Sequence, residues 1–206
     1  MDINRIILQI IILAPPFLLA LTCHELAHGY VAWRLGDPTA KNAGRLTMNP
    51  LKHLDPLGVL AFIIMKIGWA KPVPVNPVYF RDPRKGMLIV ALAGPGANIL
   101  LAVASAILVK LLPALPFLPD FIFTPLDEML KASTYINVML AVFNFLPIPP
   151  LDGSKVLLGV LPPKMARSYE KFEPFGFILI LVLFYLGLIS QVIMPIIRFG
   201  TIMLLG

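Results

Sequence analysis

An almost uninterrupted apolar run from about Ile6 to Leu35 contains His24-Glu25-Leu26-Ala27-His28, two imidazoles and a carboxylate where the surroundings ought to be lipid. A helix needs about 20 apolar residues to cross a bilayer, and only a helix or a closed barrel satisfies its backbone polar groups there. The run therefore predicts a spanning helix over 5–34, bent at Pro15-Pro16. On a helix, residues i and i+4 project from nearly one face, so His24 and His28 can close on one ion while Glu25 stands beside it. That is the HExxH spacing of a zinc-binding peptidase helix, in which the glutamate is the base toward a water on the metal. Ionisable groups at membrane depth are costly and usually functional. The competing reading, two histidines on an amphipathic face at a helix end, needs a polar partner for each of the three groups, and the local sequence supplies none.

Composition agrees with a membrane environment. Of 206 residues, 58% are hydrophobic and 14% charged, with a mean hydropathy of +0.86, against roughly 25% charged in an average soluble domain. No polar stretch is long enough for a separate soluble module. The reading is an all-α polytopic membrane protein, a transmembrane helix bundle forming one domain over 1–206, with the core motifs in 20–160 and a C-terminal span and tail in 174–206. The lone cysteine, Cys23, excludes an internal disulfide and a cysteine-based zinc site, leaving His, Asp or Glu as ligands. A net charge of +6 would suit nucleic acid, but the bases flank hydrophobic spans instead of lining a groove interleaved with aromatics. Nucleic acid is not an expected partner; the bilayer is.

Along the chain, Gly36-Asp37-Pro38 stops the first helix, and 43–50 reads as a short extended piece or β-hairpin near the active site. Leu57–Ile67 is apolar but too short to cross, and predicts a re-entrant segment. Prolines 72, 74 and 77 favour an extended or polyproline course over 68–77. Met87–Leu112 is a second long span, whose Ala93-Gly94-Pro95-Gly96-Ala97-Asn98 allows close helix approach. A proline-rich connector over 113–125 precedes a helix from Asp127 to about Phe145. A short helix reaches Leu161, a basic loop extends to Glu173, and 174–194 is the last clear span, interrupted at Pro195. This makes about four full spans plus the short re-entrant segment. Ala20-Leu21-Thr22-Cys23 is a poor lipoprotein cleavage site, because the apolar run continues through it.

Charge distribution bears on the third ligand. Nine bases lie between Arg34 and Lys85, and Lys155, Lys164, Arg167 and Lys171 follow Asp152, whereas the 113–125 connector is flanked by Lys110 and Lys131 against Asp120, Asp127 and Glu128. The positive-inside rule then puts both basic regions in the cytoplasm. A hydrolytic zinc usually takes three protein ligands and leaves a fourth position open. Asp152 ends an apolar helix in a proline-shaped turn and emerges on the same side as His24 and His28, so it is the best candidate. Its competing reading is a turn-forming Asp-Gly.

HELAH followed about 120 residues later by Asn144-Phe145-Leu146-Pro147-Ile148-Pro149-Pro150-Leu151-Asp152-Gly153 closely resembles the site-2 proteases, the intramembrane zinc metallopeptidases of family M50. The resemblance extends through 44–58, 68–76 and 93–98. It implies one Zn2+ per chain on His24, His28 and Asp152, Glu25 as catalytic base, and Asn144 near the active site. Asn144, and secondarily His53, are the donors considered for an oxyanion. PDZ and CBS domains found in some members do not fit here, so a compact form is expected. The expected activity is hydrolysis of peptide bonds within or near transmembrane segments of membrane-protein substrates, as in regulated intramembrane proteolysis. A substrate helix must unwind to an extended strand, and 43–50 is the favoured edge to receive it, ahead of 68–76. The alternatives are a non-proteolytic membrane adaptor and a metal transporter. The expected location is a prokaryotic cell membrane, with the site toward the cytoplasm.

Overall fold

The computed structural model describes residues 3–65 and 68–206. Helix α1 (Ile3–Arg34) runs unbroken through Pro15 and Pro16. A four-residue turn of helix, α2 (Thr39–Asn42), and the ten-residue α3 (Pro56–Met65) follow. At 1.5 Å per residue α3 covers about 15 Å, half of a bilayer core, in keeping with a segment that does not cross. The predicted stretch ran to Ile67, and 66–67 lie outside the described residues.

Helix α4 (Pro83–Leu111) starts where Asp82 accepts the amides of Arg84 and Lys85 at 3.1 Å each, with Pro83 at the first helical position. It is the central element, packing against α1, α5 (Asp120–Asn144) and α6 (Asp152–Val160). The buried positions of α4 are mostly small: Ala91, Gly94, Ala102, Ser105 and Ala106. Lipid gives little hydrophobic drive between helices, so close van der Waals packing at small residues is what holds them. Ala102 packs with Val138 of α5 and with Ile189, Ile193 and Ile197 of α9 (Leu188–Leu205) to form the main apolar core. The outward faces stay apolar: Ile7, Leu8, Ile11, Leu100 and Leu108 are each more than half exposed. So large an apolar surface belongs in contact with lipid.

Three helices among the described residues are long and apolar enough to cross a membrane: Ile7–Arg34, Pro83–Ala114 and Leu188–Leu205. The span count is therefore about three, not four. The predicted span 174–194 divides into α8 (Gly176–Tyr185) and α9, because Gly187 takes a left-handed φ of 71° and ends α8. Pro195 does not end α9, which continues through it to Leu205. Helix α5 begins at Asp120 instead of Asp127 and continues through Pro125. It has the length to cross but carries Asp127, Glu128 and Lys131.

The β-hairpin expected over 43–50 is also corrected. No sheet forms among the described residues, which hold a single isolated antiparallel bridge, Leu54 to Ala70. Residues 43–48 are turns and bends, with Gly44 at a left-handed φ of 65° and the Asn49 side chain accepting the Leu51 amide at 3.0 Å. Both features break a strand.

Candidate metal centre

Helix α1 carries His24 and His28 one turn apart, and both rings point at α4. The Nδ1–H of His24 donates to Asn98 Oδ1 at 2.6 Å, and that of His28 to the Val90 carbonyl at 2.7 Å. With a proton on each Nδ1, Nε2 is the nitrogen each ring has left to offer a metal. The two Nε2 atoms lie 3.1 Å apart, and Asp152 Oδ2 is 3.1 Å from both. All three side chains are buried.

Asp152 reaches this point because α5 ends at Asn144 and the chain turns tightly, through a cis Pro149-Pro150 bond, into the first residue of α6. That position suits a carboxylate, since a helix N-terminus favours negative charge. The turn is held by the Tyr169 hydroxyl donating to the Pro147 carbonyl at 2.8 Å and the Ser154 hydroxyl donating to Leu151 at 2.7 Å. Gly153 is required by its neighbours: a Cβ there would lie 2.3 Å from the Phe145 carbonyl oxygen and 2.4 Å from that of Leu146. Gly94 meets the cluster from the other side. A Cβ on it would stand 2.3 Å from His28 Nε2 and 2.6 Å from His24 Nε2, so the absent side chain leaves open the space onto which the lone pairs converge.

Three lone pairs aimed at one point repel one another unless a cation sits between them. Two imidazole nitrogens and a carboxylate oxygen, each imidazole steered by a hydrogen bond from its other nitrogen, are a donor set that zinc accepts. The His24, His28 and Asp152 ligand atoms all lie within 4.8 Å of one another, so the cluster is compatible with a metal site. Cys23 is outside it.

The cluster opens on a cavity of about 600 Å³ lined by Glu25, Asn144, Leu140, Phe143 and the segment 68–75. A second cavity of about 560 Å³, beside α6 and α7 (Pro163–Glu170), contains Arg84 and Arg167 but none of the three clustered ligands. Asn144 donates to the Leu140 carbonyl at 3.0 Å through Nδ2, leaving its second N–H free of that bond. His53 is placed elsewhere: it is fully buried, its Nε2 donates to the Thr47 carbonyl at 2.9 Å, and it does not line the cavity.

The extended piece at the site is 70–76, not the favoured 43–50. The Val73 amide donates to Glu25 Oε2 at 3.0 Å. Buried Arg45 clamps the same segment, donating to the Lys71 carbonyl at 2.6 Å and to that of Pro72 at 3.1 Å. Buried Asp37 fixes its far end by accepting the Asn76 amide at 2.7 Å, and it also accepts the Thr39 amide and hydroxyl. Prolines 72 and 74 keep the strap extended; Arg45 and Asp37 fix where it lies. Sequence reading missed Asn98, Arg45 and Asp37 as partners. Only Asn98 left a signal, as a polar residue inside an apolar helix.

Burial pushes the Asp37 carboxyl up, but the Thr39 hydroxyl and the Asn76 and Thr39 amides outweigh burial and hold its pKa below the ordinary value. A lowered carboxylate pKa contributes stability that is present above the unfolded value of about 3.9 and is lost as pH falls through the folded value. Hydrogen-exchange protection of the Asn76 amide should therefore hold from neutrality down to about pH 5 and decline only below about pH 4. Loss of protection between pH 7 and 5 would contradict this anchor.

Comparison with known proteins bears on the family of the chain. A profile of Peptidase family M50 matches residues 120–186, which include Asn144 and Asp152. A protein of Bacillus subtilis (strain 168), named "Putative zinc metalloprotease YwhC", is 42% identical over 185 residues, covering 89% of this chain and 84% of that protein. The chain belongs to peptidase family M50, the site-2 proteases. Two mycobacterial members are named "Putative zinc metalloprotease Rip2". That of Mycolicibacterium smegmatis is 34% identical over 81% of this chain and 64% of its own length. That of Mycobacterium tuberculosis (strain H37Rv) is 31% identical over 82% of this chain and again 64% of its own length. No solved structure matches the chain. M50 membership and three long apolar helices make this an integral membrane protein.

Proposed function

We propose that this chain is a zinc metalloprotease that hydrolyses peptide bonds within or near the transmembrane segments of membrane proteins, acting in regulated intramembrane proteolysis. The observation that carries the reading is the convergence of His24, His28 and Asp152 beside Glu25, on the wall of a cavity large enough for an extended peptide. His24 and His28 through Nε2 and Asp152 through Oδ2 hold one zinc ion per chain. When bound, zinc supplies Lewis acidity that lowers the pKa of a coordinated water to about 7.

Glu25 does the proton work. Its Oε2 is occupied by the Val73 amide, so Oε1 takes the proton of the attacking water and returns it to the leaving amine. The Val73 bond also fixes the carboxylate rotamer. Asn144, with one N–H uncommitted to Leu140, lines the cavity as the donor for the developing oxyanion. An unwound substrate strand lies between the strap 70–75 on one side and Leu140, Phe143 and Asn144 on the other. The basic region around Arg81–Lys85 and the loop after Asp152 face the cytoplasm, so water enters from that side.

The test is reconstitution of the full chain in vesicles with a synthetic transmembrane peptide. Cleavage should stop on chelation, return with zinc, and leave product ends within or beside the apolar segment by mass spectrometry. Peptide binding without cleavage would indicate an adaptor, and zinc flux across the vesicle without cleavage a transporter. Either result overturns the proposal.

A further inference from the structure

A line of buried polar side chains leads away from the cluster between α4 and α5: Asn98, Asn137, Ser133 and Ser105. The mechanism above uses none beyond Asn98. Their hydrogen bonds have a direction that is set from the far end. The Ser133 carbonyl can only accept, so Asn137 must turn its Nδ2 toward it, at 2.9 Å. Asn137 Oδ1 then faces Asn98 and accepts its Nδ2 at 2.8 Å. The same Nδ2 donates to the Ala20 carbonyl, another acceptor, at 3.2 Å. Asn98 is left with Oδ1 toward His24 Nδ1, which places a proton there and leaves Nε2 as the nitrogen for a metal.

We propose that Asn137 is a positioning residue for the metal centre: by holding Asn98 in one amide orientation, it selects the His24 tautomer whose Nε2 can bind a metal. Were Asn98 flipped, its NH2 would face Nδ1, and the proton would move to Nε2 and block the ligand. The Ala20 contact favours the same orientation, but it is the longer of the two, and Asn137 supplies the second acceptor. A buried amide with both ends paired costs little, whereas one that loses a partner leaves a polar group unsatisfied. His28 provides an internal contrast, because its tautomer is set by the Val90 backbone carbonyl, independent of this line. The assignment rests on the zinc reading above for its consequence, but its first readout needs no metal.

The experiment uses the metal-free full chain in lipid, labelled with 15N-histidine. The chain has 3 histidines, so the ring signals can be assigned. Wild type should show His24 and His28 both protonated at Nδ1. In Asn137→Leu, and separately in Asn137→Ala, His24 should lose Nδ1–H population while His28 keeps its own. Zinc affinity by chelator competition should fall about ten-fold or more. Unchanged His24 in both variants overturns the proposal. So does a parallel change in His24 and His28, the mark of a merely structural role. Wild type that binds no zinc would sink the zinc reading instead, and the tautomer result would then be judged by itself.

Discussion

Replacing Glu25 with glutamine is expected to leave zinc bound and reduce cleavage by about 10²–10⁴-fold. Glutamine keeps the length of the side chain, and its Oε1 can accept the Val73 amide in place of Glu25 Oε2, so the strap need not move. None of the three clustered ligand atoms belongs to residue 25. What glutamine cannot do is take a proton from water and deliver it to the leaving amine. The measurement is zinc per chain together with turnover of a transmembrane peptide. Retained cleavage would remove Glu25 from the role of base, and lost zinc would show that the carboxylate contributes to binding.

A second large effect is expected at Gly94, which carries no chemistry of its own. Alanine there would set a methyl 2.3 Å from His28 Nε2 and 2.6 Å from His24 Nε2. Neither ring can swing away cheaply, because His24 is tied to Asn98 at 2.6 Å and His28 to Val90 at 2.7 Å. Either α4 withdraws or the rings turn, and in both cases the three lone pairs no longer meet. Gly94→Ala should weaken zinc binding by about 100-fold, the upper end of the cost of disturbing a ligand's supports. Two residues on, a Cβ at Gly96 meets nothing within 4 Å. Gly96→Ala should therefore keep full zinc and leave the helix slightly more stable, by about 0.5–1 kcal/mol. Equal zinc in the two variants would refute the close approach of α4.

How much of this could be read in advance differs from residue to residue. His24, Glu25 and His28 were legible because i, i+4 spacing on a helix fixes their mutual placement whatever else the chain does. Asp152 was legible for an independent reason: the balance of bases put it on the same membrane face as the histidines, and the structure brings it to 3.1 Å from both. Gly94 was visible only as part of a small-residue patch suited to packing, and Asn98 only as a polar residue inside an apolar helix. Their facing the histidines depends on how α4 is rotated about its axis, which hydropathy does not determine.

Which of two loops lies extended along the cavity was misread for a similar reason. The prolines of 72–77 announced an extended course, but its location depends on Arg45 and Asp37, single residues that reach across from separate turns. The 43–50 stretch had a strand-like look that Gly44 and the Asn49 cap cancel. The span count erred at Gly187, because a glycine in an apolar run barely changes hydropathy, yet in the left-handed region it ends a helix.

The central claim is that His24, His28 and Asp152 hold a single zinc from which Cys23 is excluded. Zinc-edge X-ray absorption of the purified, membrane-reconstituted protein tests it most directly. The account predicts one zinc per chain with only nitrogen and oxygen neighbours, at about 2.0–2.2 Å, and the multiple-scattering pattern of two imidazoles. A sulfur neighbour near about 2.3 Å, a single imidazole, or no stoichiometric zinc would contradict it.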